Sequence, residues 1–113
     1  MAAAWMAAAM TAVLQGTTWV GPAEAPLKIS FEDGRAHGAL SCNAFRSAYD
    51  EGDATLGFGN IITTRKGCAP DKMQAERLVL KFLEQTKSFV MDGDALVLRD
   101  ADGRELMRLE RGG

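Results

Sequence analysis

The segment Pro70-Asp-Lys-Met-Gln-Ala-Glu-Arg-Leu-Val-Leu-Lys-Phe-Leu-Glu-Gln85 decides the fold. Pro70 suits a first helical turn, and Asp71 favours the positive end of the helix dipole. From Met73 onward the residues are mostly good helix formers. Ala75, Leu78, Val79, Phe82 and Leu83 recur at i, i+3, i+4, i+7 and i+8, which predicts one apolar face, widened by Leu80. Lys72, Glu76, Lys81 and Glu84 are expected on the opposite side. A single helix with one broad apolar stripe must bury it on a sheet.

The flanking sequence supplies that sheet. Thr17-Thr18-Trp19-Val20 has β-branched and aromatic character, and Gly21-Pro22 breaks it. Leu27 to Glu32, with Ile29 and Phe31, alternates apolar and polar residues with period two. Asp33-Gly34 is a hairpin signal, with Arg35 to Leu40 as the return strand. Short strands are expected at Ala44 to Tyr49, Thr55 to Gly59 and Ile61 to Thr64. After the helix, Ser88 to Met91 and Ala95 to Arg99 flank Asp92-Gly93 as a second hairpin. A turn at Asp100 to Gly103 leads into Glu105 to Glu110, where the alternation is imperfect. About eight short strands with one helix before the last three predict an α+β domain: a small, strongly curved antiparallel sheet or incomplete β-barrel packed around a single helix. Trp19, Phe31, Phe45, Tyr49, Leu78 and Phe82 are the expected core.

A length of 113 residues fits one domain. Lys and Arg number 13 against 15 Asp and Glu, a net charge of −2, which excludes the basic excess expected of a nucleic-acid binder. Apolar residues at 47% and charged residues at 25% are ordinary globular values. No apolar run is long enough to span a bilayer. Residues 1–14 are apolar, Ala-rich and uncharged. They read either as the remnant of a secretory signal lacking its basic start or as an N-terminal Ala-rich helix. Residues 15–113 are then the folded domain.

The run Gly34-Arg-Ala-His-Gly38-Ala-Leu-Ser-Cys42-Asn43-Ala-Phe45-Arg-Ser-Ala-Tyr49, together with Thr64-Arg65-Lys-Gly-Cys68 and Glu76, resembles the META domain family, which includes the heat-inducible HslJ-like proteins. The family carries a Trp in its first strand, matched by Trp19, and a Gly-Cys-Asn element, matched at Cys42-Asn43. Its aromatic-x-Gly-x-Tyr element is matched by Phe45 and Tyr49, and its Thr-x-x-x-Cys element by Thr64 to Cys68. Glu76 stands early in the helix, and Leu96-Val97-Leu98 in the closing hairpin. Ser41 and Ser47 replace two usual glycines, which puts the local turn geometry in question. The resemblance implies an incomplete barrel around one helix. It implies a non-enzymatic domain of the bacterial envelope, periplasmic or secreted, tied to heat or antibiotic stress. The alternatives are a cytoplasmic chain, and a carrier or pilot-type module holding a hydrophobic ligand or peptide between barrel and helix. A monomer with no cofactor is the expectation.

Candidate sites are few. Cys42 and Cys68 are the chain's two cysteines. In an oxidising compartment they could pair, and in a reducing one they would be close buried thiols. Closing their loop of roughly 27 residues would stabilise by about 3.5 kcal/mol. Asn43 suits a turn. Thr64 and Arg65 could bond to that turn or to Glu76, and an Arg65–Glu76 pair would lock the loop onto the helix. The alternative is a ligand-binding surface formed by Asn43, Thr64, Arg65 and Glu76. His37, the single histidine, has no nearby nucleophile and reads as a surface residue. Asp92, Asp94, Asp100 and Asp102 lie at turns and do not match a calcium loop. No metal site is expected.

Overall fold

The computed structural model describes residues 13–112. Its elements are β1 Thr18–Val20, β2 Lys28–Glu32, β3 Arg35–Ala39, β4 Ala44–Glu51, β5 Leu56–Phe58, β6 Ile62–Thr63, α1 Pro70–Gln85, β7 Ser88–Asp92, β8 Ala95–Arg99 and β9 Glu105–Arg111. All nine strands belong to one antiparallel sheet of order β5-β4-β3-β2-β1-β9-β8-β7, with β6 pairing β4 beside β5. The two ends of that order meet. Thr55 bridges Ser88, Leu56 N–H donates to the Lys87 carbonyl (3.2 Å), and Phe89 N–H donates to the Ala54 carbonyl (3.1 Å). The result is a nearly closed barrel with α1 packed against β5 and β9, an α+β domain with its curved sheet around one helix.

Local chemistry explains the strand order. Asp33 and Gly34 both have positive φ, 52° and 79°. That matches the type I′ hairpin, whose twist suits two right-twisted strands. Gly93, at φ 62°, occupies the first central position of the β7–β8 turn, the type II′ arrangement. Gly38 has a different task. A Cβ there would lie 1.8 Å from the Lys28 carbonyl oxygen, so only glycine lets β3 run this close to β2. Ser41 and Ser47, where the resemblance expects glycine, have no positive φ. Ser47 is buried in β4 and donates to the Ala48 carbonyl at 2.7 Å.

The strands bury alternate residues. Ile29 and Phe31 of β2 point inward, as do Phe45, Ser47 and Tyr49 of β4. Trp19 is fully buried; its indole Nε1–H donates to Thr17 Oγ1 (2.8 Å), and the Arg111 guanidinium stacks 4.6 Å from the ring centroid. Phe31 meets Tyr49 edge-on at 4.8 Å and Phe58 at 6.2 Å. Leu14, at the end of the Ala-rich stretch, is fully buried, and Glu51 accepts the Val13 and Leu14 N–H groups.

The helix departs from its expected face. Its buried residues are Glu76, Val79 and Leu83, with Leu80 and Phe82 partly buried against the core. Leu78 is 42% exposed, so it leaves the expected core, and Phe82 only borders it. The stripe runs i, i+3, i+4, i+7 from Glu76, turned by one residue from the apolar pattern. The cause is Glu76, which the sequence reading placed on the wet side. Its hydrogen bonds to the barrel fix the helix's rotation.

Candidate functional site

Glu76 is the centre of a buried polar cluster at the base of α1. Its Oε1 accepts the backbone N–H of Asn43 (2.8 Å) and of Cys42 (3.2 Å), and its Oε2 accepts Asn43 Nδ2–H (2.7 Å). The Asn43 amide has one orientation open to it. Its Oδ1 accepts the Lys66 backbone N–H (2.7 Å) and the Thr64 hydroxyl (2.8 Å), so the NH₂ must face the carboxylate. Thr64 Oγ1 in turn accepts Ala44 N–H at 3.1 Å. Ser41 Oγ donates to the Lys72 carbonyl in the first helical turn (2.6 Å). Three chain segments that are distant in sequence are thereby tied to one carboxylate.

The Cys42–Cys68 disulfide closes the same cluster, with its Cα atoms 6.2 Å apart. Cys42 is half-buried and Cys68 exposed. The burial expected of the two cysteines is met only in part, at Cys42. Cys68 stands just before α1, so the bond fixes the helix entry to the β3–β4 corner.

Two expectations are corrected here. The Arg65–Glu76 pair does not form: Arg65 is exposed and makes no ion pair among the described residues. The carboxylate oxygens are already taken by three N–H groups. Thr64, just past the end of β6, is itself exposed but turns its hydroxyl to Asn43, while its neighbour Arg65 makes no such contact. Nor do Asn43, Thr64, Arg65 and Glu76 form a surface, since Asn43 and Glu76 are 3% and 4% exposed and satisfy each other.

The remaining candidates separate. His37 is exposed on β3, opposite Arg46 in register, with its Nε2 3.6 Å from Glu32 Oε1. It borders an open groove of about 440 Å³ together with Phe45, Ile62 and Thr63. The aspartates are turn and surface residues: Asp100 Oδ1 accepts the N–H groups of Asp102 and Arg104, both at 2.9 Å, and Asp92 pairs with Arg108 at 2.9 Å. Among the described residues no three His, Cys, Asp or Glu side chains converge as a metal site would require, and no helix is long and apolar enough to cross a membrane.

A second groove lies between the helix and the barrel. Leu78 and Phe82 of α1 form one wall, Leu106 and Met107 of β9 the other, and Pro22 and Ala25 of the β1–β2 loop the end, around about 550 Å³. Glu24, Glu105, Arg108 and Glu110 stand at its rim. The sequence reading missed the β9 wall, although its signal was present. The imperfect alternation in Glu105 to Glu110 is a register shift: Leu98 pairs Met107 while Arg99 pairs Glu105, which leaves Leu106 without a partner. Such a bulge re-aims a side chain, and here it is one that borders the groove.

The META domain model matches residues 2–113. Among solved structures, an NMR structure of a protein from Burkholderia xenovorans is similar at 22% identity with a TM-score of 0.71, over 88% of this chain and 84% of that one. A second NMR structure is similar at 20% identity and TM-score 0.66, over 86% and 90% of the two chains. These identities speak for the fold alone. No curated protein matches the sequence.

Proposed function

The chain belongs to the META domain family, and from that premise we propose that it is a non-enzymatic binding or structural domain of an oxidising envelope compartment, serving under heat or antibiotic stress. The observation that carries this reading is the Cys42–Cys68 disulfide. Such bonds persist in secreted and periplasmic proteins and are rare where glutathione and thioredoxin keep thiols reduced. A bond that ties the helix entry to the barrel suits a domain that must stay folded in heat. Glu76, the one deeply buried carboxylate among the described residues, accepts three N–H groups of the β3–β4 corner, which supports a structural role for it. Thiol trapping in cells before and after a heat challenge tests the reading. The expected result is an envelope-fraction chain whose cysteines resist alkylation until reduced, at a level that rises with heat. A cytoplasmic chain with two free thiols would contradict it.

The groove between α1 and β9 favours a second reading, a module that holds a hydrophobic ligand or peptide there. Binding sites of this kind are apolar concavities of roughly 300–1,000 Å³ with a few polar groups at the edge.

A further inference from the structure

We propose that the groove between α1 and β9 takes a cationic amphipathic peptide segment, an inference that rests on the second reading above and names its ligand. The first observation is Leu78. It is 42% exposed on a helix whose buried face is otherwise well covered, and it stands one turn from Phe82, so the two offer an i, i+4 apolar ridge. The second is the β9 bulge, which leaves Leu106 unpaired in the sheet and places it in the facing wall. Two walls of opposed apolar side chains accept the apolar face of a peptide.

Charge selects among apolar occupants. Three carboxylates, Glu24, Glu105 and Glu110, stand around the groove against one cation, Arg108. Arg108 is already engaged, at 2.9 Å with Asp92 and 3.5 Å with Glu105. With the Arg108–Glu105 pair set against itself, Glu24 and Glu110 leave the rim net acidic, and it repels fatty acids and anionic lipid headgroups. Lysines or arginines flanking an apolar stripe meet complementary charge, which favours both encounter and register.

The test is fluorescence anisotropy of a labelled amphipathic Leu/Lys peptide of about 14 residues, titrated with the full chain at low salt. Matched Leu/Gln and Leu/Glu peptides serve as controls. Leu78→Ser and Leu106→Ser change residues that are not buried, and circular dichroism confirms their folding. The Leu/Lys peptide is expected to bind best, to weaken with added salt, and to lose at least about fivefold in affinity on either substitution. Glu105→Gln with Glu110→Gln should abolish the preference for Lys over Gln. Equal binding of all three peptides, still sensitive to Leu78→Ser, would overturn the charge inference and leave the groove reading standing. No binding, or binding indifferent to both leucine substitutions, would overturn both.

Discussion

Glu76 shows what one residue can impose. Its carboxylate is the acceptor for three N–H groups, and a side chain that both donates and accepts cannot replace it. In Glu76→Gln an NH₂ must face either the backbone N–H groups of Cys42 and Asn43 or the Asn43 amide. Turning Asn43 over would strip its bonds from Lys66 and Thr64. The substitution should cost at least about 2 kcal/mol, since buried donors are left unpaired; urea midpoints measure it. Tyr49 makes a pH prediction. Burial is the first cause that raises its pKa above the usual 10.0, followed by the negative charges of Glu51 and Asp33. A phenol held neutral in the folded state but free to ionise in the unfolded chain gives stability that is complete below about pH 10 and is lost as pH rises toward the folded value. Tyr49 is the single tyrosine, so absorbance at 295 nm reads its ionisation directly, with a midpoint above 10 expected in the folded protein. Ala54 is strained, with φ 90°. Ala54→Gly should therefore raise stability by about 1 kcal/mol, against the usual penalty for glycine.

At the level of elements, most of the strands and the helix were legible, because hairpins announce themselves. Asp33-Gly34, Asp92-Gly93 and the period-two run from Leu27 carry their own turn and pairing chemistry. The helix itself was legible too, but its rotation was not. Apolar periodicity puts Leu78 inside and Glu76 outside, whereas hydrogen bonds from residues some thirty positions earlier reverse both. Local pattern carries no information about such distant partners. A paired test follows: Leu83→Ala should cost about 2–5 kcal/mol as a core truncation, while Leu78→Ala should change stability by less than about 1 kcal/mol. Comparable losses at the two positions would restore the apolar-periodicity face. The β9 wall of the groove was missed for the opposite reason. Its broken alternation was visible, but a bulge is recognisable only once the partner strand is known.

For the whole molecule, a short sheet curls until β5 and β7 meet, and one helix lies across β5 and β9. In a chain of 113 residues the core is small for its surface, so covalent closure counts for much. Trp19, buried between β2 and β9 in register, is the largest fully buried side chain among the described residues. Trp19→Ala should remove about 3–5 kcal/mol, and near-neutral denaturant midpoints would reject that role. The central claim is that the Cys42–Cys68 bond locks the helix entry onto the barrel. Equilibrium denaturation of the oxidised wild type, Cys42→Ser, Cys68→Ser and the double variant tests it most directly. The bond predicts equal losses near 3.5 kcal/mol for each single variant and no further loss in the double. Losses that add from one cysteine to the other would contradict it.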